Sequence, residues 1–93
     1  MSQNERIHVL YAGEVQGVGF RFAAVRIAEK FDVTGFVKNM NNGNVEVMAE
    51  GKKRSLEGFL EELQEEMYAC VRDTNVSWHK ATGEFSEFQI RFH

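Results

Sequence analysis

The apolar pattern predicts an α+β fold, a split β-α-β sandwich in which two helices cover one face of an antiparallel sheet. Three observations predict it. The apolar period changes from two residues to about 3.6 and back, twice along the chain. Each helical stretch carries a single apolar stripe, so each has one face to bury. An Asn-Gly pair, Asn42-Gly43, stands between two alternating runs, where a hairpin turn needs residues that tolerate positive φ.

Ile7-His8-Val9-Leu10-Tyr11 alternates as a first strand, with Ile7, Val9 and Tyr11 on one face. Gly13, Gly17 and Gly19 punctuate the loop that follows. From Phe20 the period changes: Phe20, Ala24, Ile27, Ala28 and Phe31 form the stripe of an amphipathic helix whose Arg26, Glu29 and Lys30 face solvent. Val33 to Lys38 reads as a second strand. After Asn42-Gly43, a third strand alternates Val45, Val47 and Ala49 with Glu46, Met48 and Glu50. Beyond Gly51 a second helix carries Leu56, Phe59, Leu60, Leu63 and Met67 on one stripe, with Glu57, Glu61, Glu62, Glu65 and Glu66 on a solvated side. Ser55 is its expected N-cap, although Gly58 stands where a capping box would place Glu. Val76 and Trp78 mark a fourth strand, and Phe88, Ile90 and Phe92 a fifth. This is the ferredoxin-like order, β-α-β-β-α-β, with its last segment split in two. Such a layout decides no function by itself.

Ninety-three residues make a single domain, expected to span 1–93. At 43% hydrophobic and 27% charged, the chain can build a core without disulfides and is too apolar for intrinsic disorder. Its 11 Lys and Arg against 14 Asp and Glu leave a formal charge of −3, which argues against a general nucleic-acid or anionic-membrane binder. One cysteine, Cys70, cannot form an internal bridge or a thiolate metal cluster, and points to a reducing, cytoplasmic compartment. No apolar run approaches the roughly 20 residues that span a bilayer. The opening Met1-Ser2-Gln3-Asn4-Glu5-Arg6 lacks the basic and apolar regions of a signal peptide.

The segment Gly13-Glu14-Val15-Gln16-Gly17-Val18-Gly19-Phe20-Arg21, between the first strand and first helix, carries the chemistry. Two glycines one residue apart let the backbone turn tightly, so that successive N–H groups point into one concavity. Beside a helix N-terminus, such a nest binds anions. Arg21 in the first helical turn opposes the helix dipole by about 0.3–1 kcal/mol, and a bound dianion would reverse that sign. A guanidinium also grips two phosphate oxygens at once. The loop is neither of two familiar phosphate motifs: the dinucleotide fingerprint needs glycine where Phe22 stands, and the P-loop needs Gly-Lys-Ser/Thr. On these grounds alone, a glycine-rich β-to-α turn with no ligand stays open.

Val15-Gln16-Gly17-Val18-Gly19-Phe20-Arg21, then Gly35-Phe36-Val37-Lys38-Asn39, then Asn42-Gly43-Asn44-Val45-Glu46, resembles acylphosphatase. The likeness runs nearly the whole chain, to the closing Phe88-Gln89-Ile90-Arg91-Phe92. The resemblance implies a small, monomeric, cytosolic enzyme that hydrolyses carboxyl–phosphate anhydrides with no metal or cofactor. It makes Arg21 the phosphate-binding arginine and Asn39 the residue that positions the attacking water. Backbone N–H groups from Gln16 through Phe20, in the loop from Val15 to Arg21, become the phosphate cradle. Its implied partner is a small acyl phosphate, with no nucleic acid and no membrane. Three departures concern loops only. Asn42-Gly43 stands where the family commonly has Asp-Gly. Phe31-Asp32-Val33 replaces a Leu-Gly-Leu-like link, and Glu66-Met67-Tyr68 replaces a Gly-Pro before the fourth strand.

These residue types suit the reaction. An acyl phosphate already has a good leaving group, so catalysis can rest on placing water in line and holding the equatorial oxygens with fixed donors. Asn39 is neutral and offers both acceptor and donor atoms, so it holds water without repelling a dianion.

Other candidates read as structural. His8, His79 and His93 show no metal-ligand spacing, Cys70 has no motif around it, and Met40, Met48 and Met67 are packing or surface residues. Lys38 points away from the face of Asn39 by strand alternation. Lys52-Lys53-Arg54 solvates a helix start or steers anionic substrates. Two alternatives from another class remain, both non-catalytic ferredoxin-like binding modules. One is an RNA-recognition module, which Gly35-Phe36-Val37 faintly suggests. The other is the accessory domain of a carbamoyl-phosphate-using maturation factor, against which a chain ending at His93 favours a free-standing enzyme.

Overall fold

The computed structural model describes residues 3–92; His93 and the first two residues of the opening segment lie outside the described residues. Alternation governs β1 (Asn4–Gly13), where Ile7, Val9 and Tyr11 are buried, and β3 (Val45–Lys52), where Val45, Val47 and Ala49 are buried. The two strands pair antiparallel with Ile7 opposite Ala49 and Tyr11 opposite Val45, so both apolar rows share one face. With β2 (Thr34–Asn39), β4 (Val71–Lys80) and β5 (Phe88–Arg91) they form a five-stranded sheet of order β4-β1-β3-β2-β5. The helices α1 (Phe20–Phe31) and α2 (Lys53–Glu66) lie on the apolar face, burying Ala24, Ile27 and Ala28 from one and Leu56, Phe59 and Leu63 from the other. The expected fold class holds, with one refinement: β5 runs parallel to β2.

Several boundaries differ from the sequence reading. β1 extends to Asn4 and Gly13, β2 begins at Thr34, and β4 runs from Val71 rather than near Val76. After Val71, which packs against the core, its early half is polar and mostly exposed, as an edge strand's can be, so it carries little apolar signal. The N-cap of α2 is Lys52, in extended conformation and without a side-chain cap, while Ser55 lies inside the first turn. Gly58 is not a missing cap partner but a crossing point, since a Cβ there would sit 2.4 Å from the Phe31 ring of α1. Two glutamates of the solvated side, Glu62 and Glu66, also pair at the surface with Lys30 and Arg26 of α1. Phe31 is half-buried at this crossing.

The hairpin turn is wider than a two-residue link. It occupies Met40–Asn44, closed by Met40 N–H to Asn44 O at 2.8 Å and Gly43 N–H to Met40 O at 3.1 Å, and Gly43 takes φ 93°. Gly35 is required by close approach, because a Cβ would lie 1.8 Å from Met48 O. Asp32 ends α1 in the left-handed region, at φ 58° and ψ 44°.

The face without helices is crossed by residues 81–87, which join β4 and β5 at opposite edges of the sheet. Four inter-strand spacings are about 19 Å, and a seven-residue link reaches about 25 Å fully extended, so the crossing has little slack. Glu50, 3% exposed, holds it down. Its carboxylate accepts from Thr82 N–H at 2.9 Å, Gly83 N–H at 2.9 Å and Arg6 Nε at 2.6 Å. Phe85 then packs edge-on to Phe36, with centroids 6.0 Å apart, and Arg91 covers Phe36 at 4.1 Å. Phe36, the aromatic of the RNA-module alternative, is thus only 7% exposed.

Candidate active site

β1 and β2 are both antiparallel to β3, and β5 is parallel to β2, so the C-terminal ends of three strands meet at one end of the sheet. The N-terminus of α1 opens at the same end, because the loop from Glu14 to Gly19 leads there directly from β1. Asn39 is the last residue of β2 and pairs with the buried Val45, which puts it on the helix side of the sheet.

The loop is anchored at both ends. Glu14 N–H donates to Cys70 O at 2.9 Å, and the Val15 side chain is buried. The Gln16 amide donates to Met40 O and Asn44 O, each at 2.8 Å, tying the loop to the β2–β3 turn next to Asn39. Phe20 is buried against Tyr11 with ring centroids 4.8 Å apart. Burial pushes the Tyr11 hydroxyl pKa up, and that hydroxyl accepts and donates no hydrogen bond among the described residues.

Between these anchors the backbone is free. Gly17 (φ 76°) and Gly19 (φ 81°) take the left-handed conformation with nothing near a would-be Cβ, so backbone conformation rather than space selects glycine. Among the described residues, the backbone N–H groups from Val15 through Phe22 donate to no other part of the protein; the first helical bond is Ala23 N–H to Gly19 O at 3.0 Å. Gly19 caps α1 without a side chain, and its first turn holds no acidic residue. The positive end of the helix is therefore uncompensated.

Val15, Gly17, Gly19, Phe20, Arg21, Phe22 and Asn39 line one cleft of about 240 Å³. The structure thus brings Arg21 and Asn39, distant in sequence, to the same cavity. Asn39 Oδ1 is buried and accepts no hydrogen bond among the described residues. The Arg21 guanidinium lies 5.5 Å from the ring centre of Phe92, which follows β5. Two members of the expected loop do not line the cleft: the Gln16 side chain turns back to the hairpin, and the Val18 side chain is 44% exposed. Phe22, which lines the cleft, and Phe92, beside Arg21, lie outside the expected site residues. Phe22 had a signal, an aromatic off the apolar stripe of its helix; Phe92 had none, because its place depends on the direction of β5.

Lys52 pairs with Asn4 at the far end of β3, about 23 Å of strand from Val45, so the basic run does not border the cleft. His8 binds Glu46 at 2.7 Å and His79 binds Ser77 at 2.9 Å. Among the described residues, no group of three or more His, Cys, Asp or Glu could hold a metal ion, and no helix is long and apolar enough to cross a membrane.

An acylphosphatase family model matches residues 7–90. An acylphosphatase from Anaeromyxobacter sp. is 39% identical over 92 residues, covering 98% of this chain and 99% of its own length. The crystal structure of acylphosphatase from Bacillus subtilis superimposes with a TM-score of 0.84 at 30% identity, over 94% of this chain and 98% of that one. Full-length HypF, in a phosphate- and nucleotide-bound form, matches 98% of this chain with 12% of its own, at TM-score 0.89 and 27% identity. Sequence likeness across almost all of its length and the shared fold agree that this chain belongs to the acylphosphatase family and is an acyl phosphate hydrolase.

Proposed function

We propose that the protein hydrolyses the carboxyl–phosphate bond of small acyl phosphates without a metal ion, with phosphate held by Arg21 and the 15–21 loop and water positioned by Asn39. The observation that supports this most directly is the composition of the cleft, which gathers N–H groups and a buried amide oxygen, unpartnered among the described residues, beside a guanidinium. The N–H groups and guanidinium match the equatorial oxygens of a phosphoryl group, and the amide oxygen matches a water proton. Water held at Asn39 Oδ1 attacks phosphorus in line. A new P–O bond forms, the bond to the acyl oxygen breaks, and the carboxylate leaves with the electron pair. The water proton passes to a phosphate oxygen of the substrate, so no side chain has to titrate. Fixed donors aimed at the developing charge, in a small partly enclosed site, supply the rate. The single free cysteine supports a reducing, cytoplasmic setting.

The test is turnover of an aryl acyl phosphate in the presence of EDTA by the wild type, Asn39→Ala and Arg21→Lys. Wild-type activity is expected to survive EDTA. Arg21→Lys keeps the charge but loses the two-pronged donor, and kcat should fall about 10²–10³-fold. Asn39→Ala should lose turnover while keeping inhibition by inorganic phosphate. Near-normal turnover in a folded Asn39→Ala would remove Asn39 from the mechanism.

A further inference from the structure

Phe22 stands in the first turn of α1, next to Arg21, and is 71% exposed. It lines the cleft and also a second groove of about 530 Å³ between α1 and β5, so the two cavities share a wall. The floor of that groove is apolar: Phe88 is buried, and Val25 and Ile90 pack against the core. Its rim is acidic, since Glu29 and Glu87 border it while Arg26 is paired with Glu66 of α2. A third groove, of about 460 Å³, shares Asn39 with the cleft and is lined by Lys38, Met40, Asn41, Asn42 and Phe92.

The in-line requirement chooses between the two. The attacking water and the leaving group lie on opposite sides of phosphorus. If Asn39 holds the water, the groove that shares Asn39 is on the water's side, and the acyl group leaves toward the other. We propose that the acyl group of the substrate is uncharged and apolar, aromatic or branched, and lies over Phe22 and Ile90 in the groove between α1 and β5. Phe22 is then a specificity-determining residue. At about 530 Å³ the open groove offers far more room than a methyl group fills. The carboxylates of Glu29 and Glu87 oppose an acyl chain that carries a second phosphate. This inference rests on the placement of the phosphoryl group on the 15–21 loop.

The experiment compares kcat/KM for an aryl acyl phosphate and for acetyl phosphate in the wild type and in Phe22→Ala, with inhibition by inorganic phosphate measured beside each. Phe22 is exposed, so its truncation leaves the core in place. The aryl-to-acetyl ratio should fall about tenfold, in line with the loss of apolar contacts at a specificity pocket. A second variant, Glu29→Lys, should raise the relative use of an acyl phosphate bearing a second phosphate by severalfold, and less so at high salt. Both ratios unchanged, with phosphate inhibition intact, would overturn the apolar groove as the acyl site. Absence of phosphate inhibition in the wild type would overturn the cleft reading itself, and the inference with it.

Discussion

Single residues define the walls of the proposed site, and each does so for a different physical reason. Gly17 and Gly19 supply left-handed backbone, which leaves consecutive N–H groups unspent at the start of α1. Among the described residues that line the cleft, Arg21 supplies the one cation, and Asn39 an acceptor with no charge. Asp32 shows the opposite case, a residue poorly matched to its place. It holds φ 58° at the end of α1, where a Cβ is unfavourable, and it places a negative charge at the negative end of the helix dipole. Among the described residues its side chain makes no hydrogen bond that would offset this, while its backbone N–H reaches Ala28 O and Glu29 O. Asp32→Gly should therefore raise the unfolding free energy by about 1 kcal/mol, and Asp32→Asn, which removes only the charge, by about half as much. Urea unfolding of the two variants checks this. A loss of stability in Asp32→Gly would show that the carboxylate contributes to the native state.

At the scale of elements, the connection from β4 to β5 is the least predictable part of the chain and the most dependent on one side chain. Residues 81–87 carry no regular structure, yet they must cross the open face with little slack. Glu50 sits among alternating residues of β3 that read as a solvent-facing row, and tertiary structure buries it under the crossing. Burial alone would raise its pKa. The N–H groups of Thr82 and Gly83, the Arg6 guanidinium and the Thr82 hydroxyl outweigh that, and the carboxyl titrates below its ordinary value. The stabilisation is thus fully present above the ordinary carboxyl value of 4.5 and is lost as pH falls through the lower folded value. Glu50→Gln should lower stability near neutral pH by roughly 2–4 kcal/mol, since it leaves Arg6 and one N–H poorly matched. It should also flatten the acid limb of the stability profile. Denaturant unfolding at a series of pH values reads both effects, and an unchanged acid slope would place that linkage on other carboxylates.

At the scale of the whole molecule, the sheet order brings the ends of β1, β2 and β5 to the start of α1, and the cleft exists only in the folded state. Inorganic phosphate, binding the native chain alone, should therefore stabilise it. At a concentration of about 100 times Kd the gain is about 2.7 kcal/mol, which for a domain of this size raises Tm on the order of 10 °C. Arg21→Lys should lose most of that rise; a wild-type Tm indifferent to phosphate would argue against the cradle. The sequence by itself determined the element types, the apolar faces and the glycine-rich turn between β1 and α1, because hydrophobic period and glycine-spaced turns are local properties. It also carried the resemblance to the acylphosphatase family. Tertiary structure alone decided the parallel direction of β5, which brings Phe92 to Arg21, and the tie from Gln16 to the β2–β3 turn. It alone decided the burial of Glu50 and the groove beside Phe22. These depend on which strand edges meet and on how far a connection must reach, and no local pattern of residues encodes either distance.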